Sequence, residues 1–386
     1  MIRRNVLLLL AFREDETQMA SVRWKRFRRH FSEETVSFEW ASIKLPYCDD
    51  SASAAAKAVR ELTVRRAAKR WAGRLSPGRD PGTKTVVLAS IPTLDPLYVG
   101  AILKKTCRAN VELVLEIRDI YARPESFEYS SLRRRLEVLK ERLLIRQVDR
   151  FIFLTDEIRR RYAGYYPRLP KIREGIVITN GYDPDEYGVA PTACVRSDMV
   201  DLGYFGSFYG SRNPELLFQA MATLRGARPE SARIRVHIWG EPGGYPLQEK
   251  IAEYGLHEAV IYHGIASHEE IIREYARTGV NLIITHTKGS SYALPGKLFE
   301  YIGAARPIWA ITDDRILRDF IERHKLGYLS RHTVVSIAET LRRITQEHAQ
   351  EGGLASIGRV PDFEIGPLTR RLERFLLHGE GHRVPQ

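Results

Sequence analysis

Val200-Asp201-Leu202-Gly203-Tyr204-Phe205-Gly206-Ser207-Phe208-Tyr209-Gly210-Ser211-Arg212-Asn213-Pro214 runs from a short apolar stretch through a glycine-rich turn into the start of a helical pattern. Upstream, Val6–Leu10, Thr85–Ser90, Val111–Ile117 and Arg150–Leu154 read as buried strands. Ser51–Leu75, Tyr98–Cys107 and Leu132–Gln147 read as helices between them. Downstream the alternation repeats, with strands at Val200–Phe205, Ile234–Trp239, Ala259–Tyr262, Val280–Ile284 and Pro307–Ile311. Pro214–Leu224, Tyr245–Tyr254, His268–Arg277, Gly296–Gly303 and Ile316–His324 are the helices of this second array. Two α/β arrays in succession predict two doubly wound, Rossmann-like domains with parallel sheets. The seam falls in the turn-rich Asn180-Gly181-Tyr182-Asp183-Pro184-Asp185, which sets domains of 1–182 and 183–366 and a last amphipathic segment at 367–386.

The 386 residues are 44% apolar and 28% charged, which excludes disordered, collagen-like and disulfide-scaffold chains. Cys48, Cys107 and Cys194 match no metal or disulfide spacing and read as reduced thiols of a cytoplasmic protein. No run reaches the roughly 18 to 20 apolar residues of a membrane span. The run Val6–Phe12 leads into Arg13-Glu14-Asp15-Glu16 rather than a cleavage site, so it reads as a first strand. The net charge of +12 is uneven: residues 1–190 hold 36 Lys and Arg against 25 Asp and Glu, and the rest is nearly balanced. A basic first half suits an anionic partner.

Ligands of doubly wound domains bind beyond the carboxyl ends of the strands, so residues just after strands carry most weight. Ser290-Ser291-Tyr292-Ala293-Leu294-Pro295-Gly296-Lys297-Leu298-Phe299-Glu300-Tyr301 follows one strand and opens a helix at Pro295-Gly296. Free N–H groups and the helix dipole make an anion site there, and Lys297 adds a full charge. Glu300 is one turn on, about 4.5 Å along the axis, where a carboxylate can hold the two hydroxyls of a ribose. A weak surface Lys–Glu pair is the competing reading. In Gly203–Pro214, Gly206 lets a phosphate approach the backbone and Arg212 can grip a diphosphate, although the glycine spacing is not that of dinucleotide folds.

"GYFGSFYGSRNPELLFQAM" and "ALPGKLFEYIGAARPI", with "EIRDIY" (Glu116–Tyr121) and "VITNGYD" (Val177–Asp183), resemble the GT-B glycosyltransferases of the GT4 type. The resemblance covers nearly the whole chain and implies two domains facing across a cleft, with the last helix returning to the first. It implies a retaining, metal-independent transferase with no cofactor, taking a nucleotide-diphosphate sugar as co-substrate. The donor would lie on Gly206, Ser207, Arg212, Pro295, Gly296, Lys297 and Glu300, with the base near His263, Gly264 and Ile265. The acceptor, a saccharide or a polyprenyl-diphosphate-linked saccharide, would meet the first domain, in cell-surface polysaccharide or glycolipid assembly. Three positions depart from the family: Tyr292 replaces a frequent Glu, Ser207 a common Arg, and the first half has only His30 where a cleft histidine is usual.

Asp119 follows a first-domain strand and is the candidate to orient or deprotonate an acceptor hydroxyl, with Arg118 holding a phosphate or keeping Asp119 ionised. A structural Arg–Asp pair is the alternative. Glu14, Asp15 and Glu16 read as a solvated loop, and Asp183-Pro184-Asp185 as a turn rather than a metal motif. Arg23, Trp24, Arg26 and Phe27, in Val22–Phe31, put aromatics on one stripe among arginines, the pattern of a helix on an anionic membrane surface. The same stripe packed on a sheet is the alternative. No nucleic-acid motif appears. A degenerate, non-catalytic GT-B protein acting as a partner subunit at the membrane is the rival reading, with an epimerase or phosphorylase of the same fold behind it.

Overall fold

The computed structural model describes residues 5–11, 19–34, 36–42, 54–75, 85–91, 93–107, 111–123, 130–188, 199–227, 233–287 and 291–378. Cys48, Cys194, Glu14, Asp15, Glu16 and Ser290 lie outside them. The chain forms two compact units, Met1–Asn180 with Ile365–Gln386, and Gly181–Glu364.

In the first unit, strands β1 (Asn5–Ala11), β2 (Val36–Ser42), β3 (Thr85–Ile91), β4 (Val111–Ile117), β5 (Arg150–Phe153) and β6 (Ile176–Val177) make one sheet of order β2-β1-β3-β4-β5-β6. Every pairing in it is parallel. Helices α1 (Met19–His30), α2 (Ala54–Leu75), α3 (Asp95–Cys107), α4 (Ser131–Ile145) and α5 (Asp156–Tyr165) form the crossovers. β3 is buried along its whole length, as a central parallel strand covered on both faces must be.

The second unit holds β7 (Val200–Phe205), β8 (Ile234–Trp239), β9 (Val260–Gly264), β10 (Val280–Ile284), β11 (Ile308–Ile311) and β12 (Gly327–Ser330). Their order is β12-β11-β10-β7-β8-β9, the dinucleotide-fold order read from the other edge. Helices α6 (Glu215–Ala227), α7 (Leu247–Glu253) and α11 (Val334–Glu351) contribute Leu217, Phe218, Ile251, Ile337 and Leu341 to one core. Helices α8 (His268–Arg277), α9 (Gly296–Gly303) and α10 (Arg315–Arg323) contribute Tyr275, Leu298, Phe299, Leu317 and Ile321 to a second. Helix α12 (Ile365–His378) closes the chain within the first unit, where Ile365, Leu368, Leu372 and Phe375 pack with Trp24, Phe27 and Phe31.

That packing corrects the expected membrane surface at α1. Arg23, Trp24, Arg26 and Phe27 are all buried, the two aromatics completely. The stripe faces the sheet and α12, and a helix covered in this way has no apolar face left for lipid. Arg23 is instead a buried cross-link. Its Nε donates to Glu116 Oε1 at 3.0 Å, and its Nη groups donate to the carbonyls of Ile178 and Thr179. Glu116 also accepts from Trp24 Nε1 at 2.8 Å and Ser90 Oγ at 2.6 Å, which satisfies both carboxylate oxygens.

Candidate functional site

In the second unit the sequence order of the strands reverses between β7 and β10, which are paired neighbours. Loops leaving the carboxyl ends of such a pair run in opposite directions and open a crevice, which is where doubly wound sheets bind ligands. The loop after β7 carries Gly206, Ser207 and Arg212, and the segment after β10 leads to Pro295, Gly296 and Lys297. The topology therefore brings together the two stretches that stood out in the sequence.

The backbone at the strand ends is fitted tightly. Gly206 N–H donates to Trp239 O and Gly240 N–H to Gly264 O, both at 2.8 Å. Gly240 has φ +121°, and a Cβ there would stand 2.4 Å from the Gly206 carbonyl oxygen. Gly240→Ala is expected to displace the Gly206 loop and destabilise the fold by more than about 1 kcal/mol. Chemical denaturation checks this, and an unchanged midpoint would contradict it.

Arg212 is held by phenols. Its Nε donates to Tyr204 Oη at 3.2 Å and its Nη1 to Tyr209 Oη at 3.1 Å, with the guanidinium 5.0 Å from the Tyr209 ring centre. Neutral partners orient the cation without cancelling its charge. Lys297 also meets a phenol: its Nζ donates to Tyr275 Oη at 2.6 Å. The Tyr275 ring packs edge-on against Phe205, 4.6 Å between centres, so Lys297 is braced against the residue before Gly206. Helix α9 starts after Pro295 with no side-chain cap, so its first N–H groups can receive an anion.

Glu300 differs from expectation in its exposure. It is buried, and its carboxylate accepts a hydrogen bond from Tyr187 Oη at 2.5 Å. A hydroxyl ligand there would share the carboxylate with Tyr187. Glu300, Glu186 and His268 offer ligand atoms within 4.8 Å of one another, the one grouping among the described residues able to hold a metal. Tyr292, in the position of the family's frequent Glu, is buried.

His263, next to last in β9, is the outer ring of a stack. Phe205 and Trp239 lie 4.5 Å apart, Trp239 and His263 4.3 Å, each pair within 7° of parallel. His263 Nε2 lies 2.9 Å from His237 Nδ1, and His237 Nε2 lies 3.1 Å from Asp201. Burial, then His237, lower the His263 pKa, with Glu274 opposing. Gly264 takes φ +76°, and Ile265 beyond it is 74% exposed. A cavity of about 190 Å³ lies beside the β7 loop, walled by Ser211, Asn213, Thr287 and His332 over a floor that includes Leu217 and Ile337.

Arg118 and Asp119 lie in the first unit, after β4. Asp119 is exposed and accepts from Ile120 N–H at 2.8 Å. Arg118 lies within the electrostatic reach of Glu116 and Asp119, and its Nε is buried without a hydrogen-bond acceptor among the described residues. A half-buried guanidinium in that state is poised for an anionic ligand. Tyr187, Tyr275 and Trp239, which position the candidates, were missed in the sequence; the Tyr of "NGYDPDEY" and the Trp ending β8 were the available signals, and neither specifies its partner.

No family model matches the chain, and no curated protein matches it in sequence. Solved structures match it in fold. HepE of Anabaena, in complex with UDP, aligns over 97% of this chain and 99% of its own at 14% identity and TM-score 0.65. Sucrose-phosphate synthase of Thermosynechococcus elongatus aligns over 96% and 98% at 14% identity and TM-score 0.68. WaaG, a glycosyltransferase of lipopolysaccharide biosynthesis, aligns over 97% and 100% at 14% identity and TM-score 0.62. These neighbours are GT-B glycosyltransferases, and the chain has their fold, two Rossmann-like halves matched over almost its full length.

Proposed function

We propose that the protein is a retaining glycosyltransferase of the GT4 type, moving a sugar from a nucleotide diphosphate to a hydroxyl of a saccharide or lipid-linked saccharide. The observation that carries this reading is the pairing of Arg212 and Lys297, two cations set by tyrosines, with the open N-terminus of α9 at the β7/β10 reversal. The neighbour HepE binds UDP, and one of its structures also holds glucose. In this chain the diphosphate would lie on Arg212, Lys297 and the α9 N–H groups, beside Gly206 and Ser207. Glu300 would take the ribose with Tyr187, and the Gly264 and Ile265 backbone the base.

As the anomeric C–O bond breaks, the diphosphate oxygen gains charge, and fixed cations and N–H dipoles stabilise it without reorganising. The acceptor oxygen attacks the same face, and its proton passes to the departing phosphate oxygen. In this scheme the cations do the work a metal does on other diphosphates. Arg118 would hold an anionic acceptor group, such as the phosphate of a polyprenyl-linked saccharide, beside Asp119. We place the protein in cell-surface polysaccharide or glycolipid assembly, at the cytoplasmic side; no helix among the described residues is long and apolar enough to cross a membrane. The buried Tyr292 favours a second reading, a non-catalytic partner subunit that keeps the donor site.

Thermal unfolding with UDP, GDP, ADP and CMP, alone and as sugar conjugates, tests the proposal. One diphosphate series is expected to raise the melting temperature, by the equivalent of about 2.7 kcal/mol at a hundredfold excess over its dissociation constant. Glu300→Ala is expected to weaken that shift. No shift from any nucleotide would overturn the reading, whereas a shift without transfer would favour the partner subunit.

A further inference from the structure

Helix α4 is built inside out. Its two acids point inward: Glu141 is buried and accepts from Tyr162 Oη at 2.8 Å and from Tyr166, while Glu137 is buried and accepts from Tyr121 Oη at 2.9 Å. Its leucines point out. Leu132 is 70% exposed, Leu136 49%, Leu139 51% and Leu143 54%. Spacings of four, three and four residues put them on one stripe, about 16 Å long at ~1.5 Å per residue. Arg135, Arg142 and Arg146, all exposed, flank the stripe on one side; the exposed Lys140 flanks it on the other and is paired with Glu137 at 2.9 Å. On α2 the exposed Val59 and Leu62 precede the exposed Arg65, Arg66, Lys69 and Arg70, and α3 packs against both helices.

We infer that this face docks on an anionic lipid surface, with the α4 leucines entering the headgroup layer and the flanking arginines meeting lipid phosphates. A soluble helix turns its apolar stripe to the core, and a contiguous exposed stripe marks a binding surface. The charge chooses the occupant. With the acids turned inward, the rim is cationic, which attracts an anionic bilayer and repels a second copy of the same face. The inference stands independently of the donor site, since none of these residues belongs to it.

The test uses the full chain sedimented with vesicles of phosphatidylcholine alone or enriched in phosphatidylglycerol. Binding to the anionic vesicles, weakened by salt, is expected. Leu136→Glu with Leu139→Glu should weaken it at least about tenfold, and Arg135→Glu with Arg142→Glu by a similar factor on anionic vesicles alone. Val335→Glu, at an exposed apolar residue of the second unit, should leave it unchanged. The leucine variant should keep the wild-type melting temperature and any nucleotide shift, which separates this inference from the donor reading. Absence of vesicle binding, or binding that survives the leucine variant, would overturn it. A leucine variant with a lowered melting temperature would show packing within the chain, and a wild-type dimer that it dissolves would show a second copy; either also overturns the proposal.

Discussion

Glu116→Ala is expected to destabilise the fold by about 3 to 5 kcal/mol, because it leaves the Arg23 guanidinium buried without its counter-charge. Both side chains are shielded from water, at 3% and 0% exposure, so solvent does not relieve the loss. The substitution also removes the acceptor of Trp24 Nε1 and Ser90 Oγ. Urea denaturation would measure the effect. The double variant Arg23→Met, Glu116→Leu is expected to regain part of it: the unpaired buried charge is gone, but Trp24 Nε1, Ser90 Oγ and the Ile178 and Thr179 carbonyls lose these partners. If the single variant were as stable as the parent, the cross-link would not be structural. The pair also sets a pH dependence. Burial pushes the Glu116 carboxyl up, but Arg23, Arg118 and the hydrogen bonds from Ser90 and Trp24 outweigh it and hold it below its ordinary value of 4.5. A carboxyl lower in the folded state than in the unfolded one stabilises fully above 4.5, and that contribution is lost as pH falls toward the folded value. Glu116→Gln should flatten the acid limb of the stability profile.

On the proposed transferase reading, the second large effect is on turnover. Lys297→Ala is expected to lower kcat/KM for transfer by about a hundredfold to a thousandfold, the range for removing one preorganised donor from a developing anion. The melting temperature should change little, because Lys297 is only half-buried and its Nζ donates to the Tyr275 hydroxyl. Tyr275→Phe removes the hydrogen bond that aims Nζ but keeps the ring against Phe205. Its effect should be smaller and lie mainly in kcat. Steady-state kinetics with the donor found by thermal shift would measure both. An alanine variant that turned over at the parental rate would take Lys297 out of the reaction.

Most strands could be read from the sequence because buried parallel strands are short unbroken runs of β-branched and apolar residues, as in Thr85–Ile91. Val36–Ser42 was missed: it is an edge strand, and Val-Ser-Phe-Glu-Trp-Ala-Ser alternates with polar residues. Gly327–Ser330 and α11 were missed as well, the strand being four residues at an edge of the second unit's sheet and the helix mixing charges with its apolar face. The Gly206 loop and the Pro295-Gly296 helix start were legible because glycine and proline carry their backbone geometry with them. Their neighbours were not. Tyr187 reaches Glu300 across 113 positions, and no local pattern encodes such a pairing.

Helices α1 and α4 mark the boundary between the two kinds of information. Sequence alone determined the α/β alternation, the glycine- and proline-marked starts of the two loops and the excess of cations in the first half, since these depend on residue type and spacing. It also placed an apolar stripe beside arginines on α1. Only the tertiary structure decided that the α1 stripe is covered, partly by a helix more than 300 residues further on, while the α4 stripe is open. Periodicity defines which residues share a face, and what covers that face depends on contacts between residues far apart in the chain.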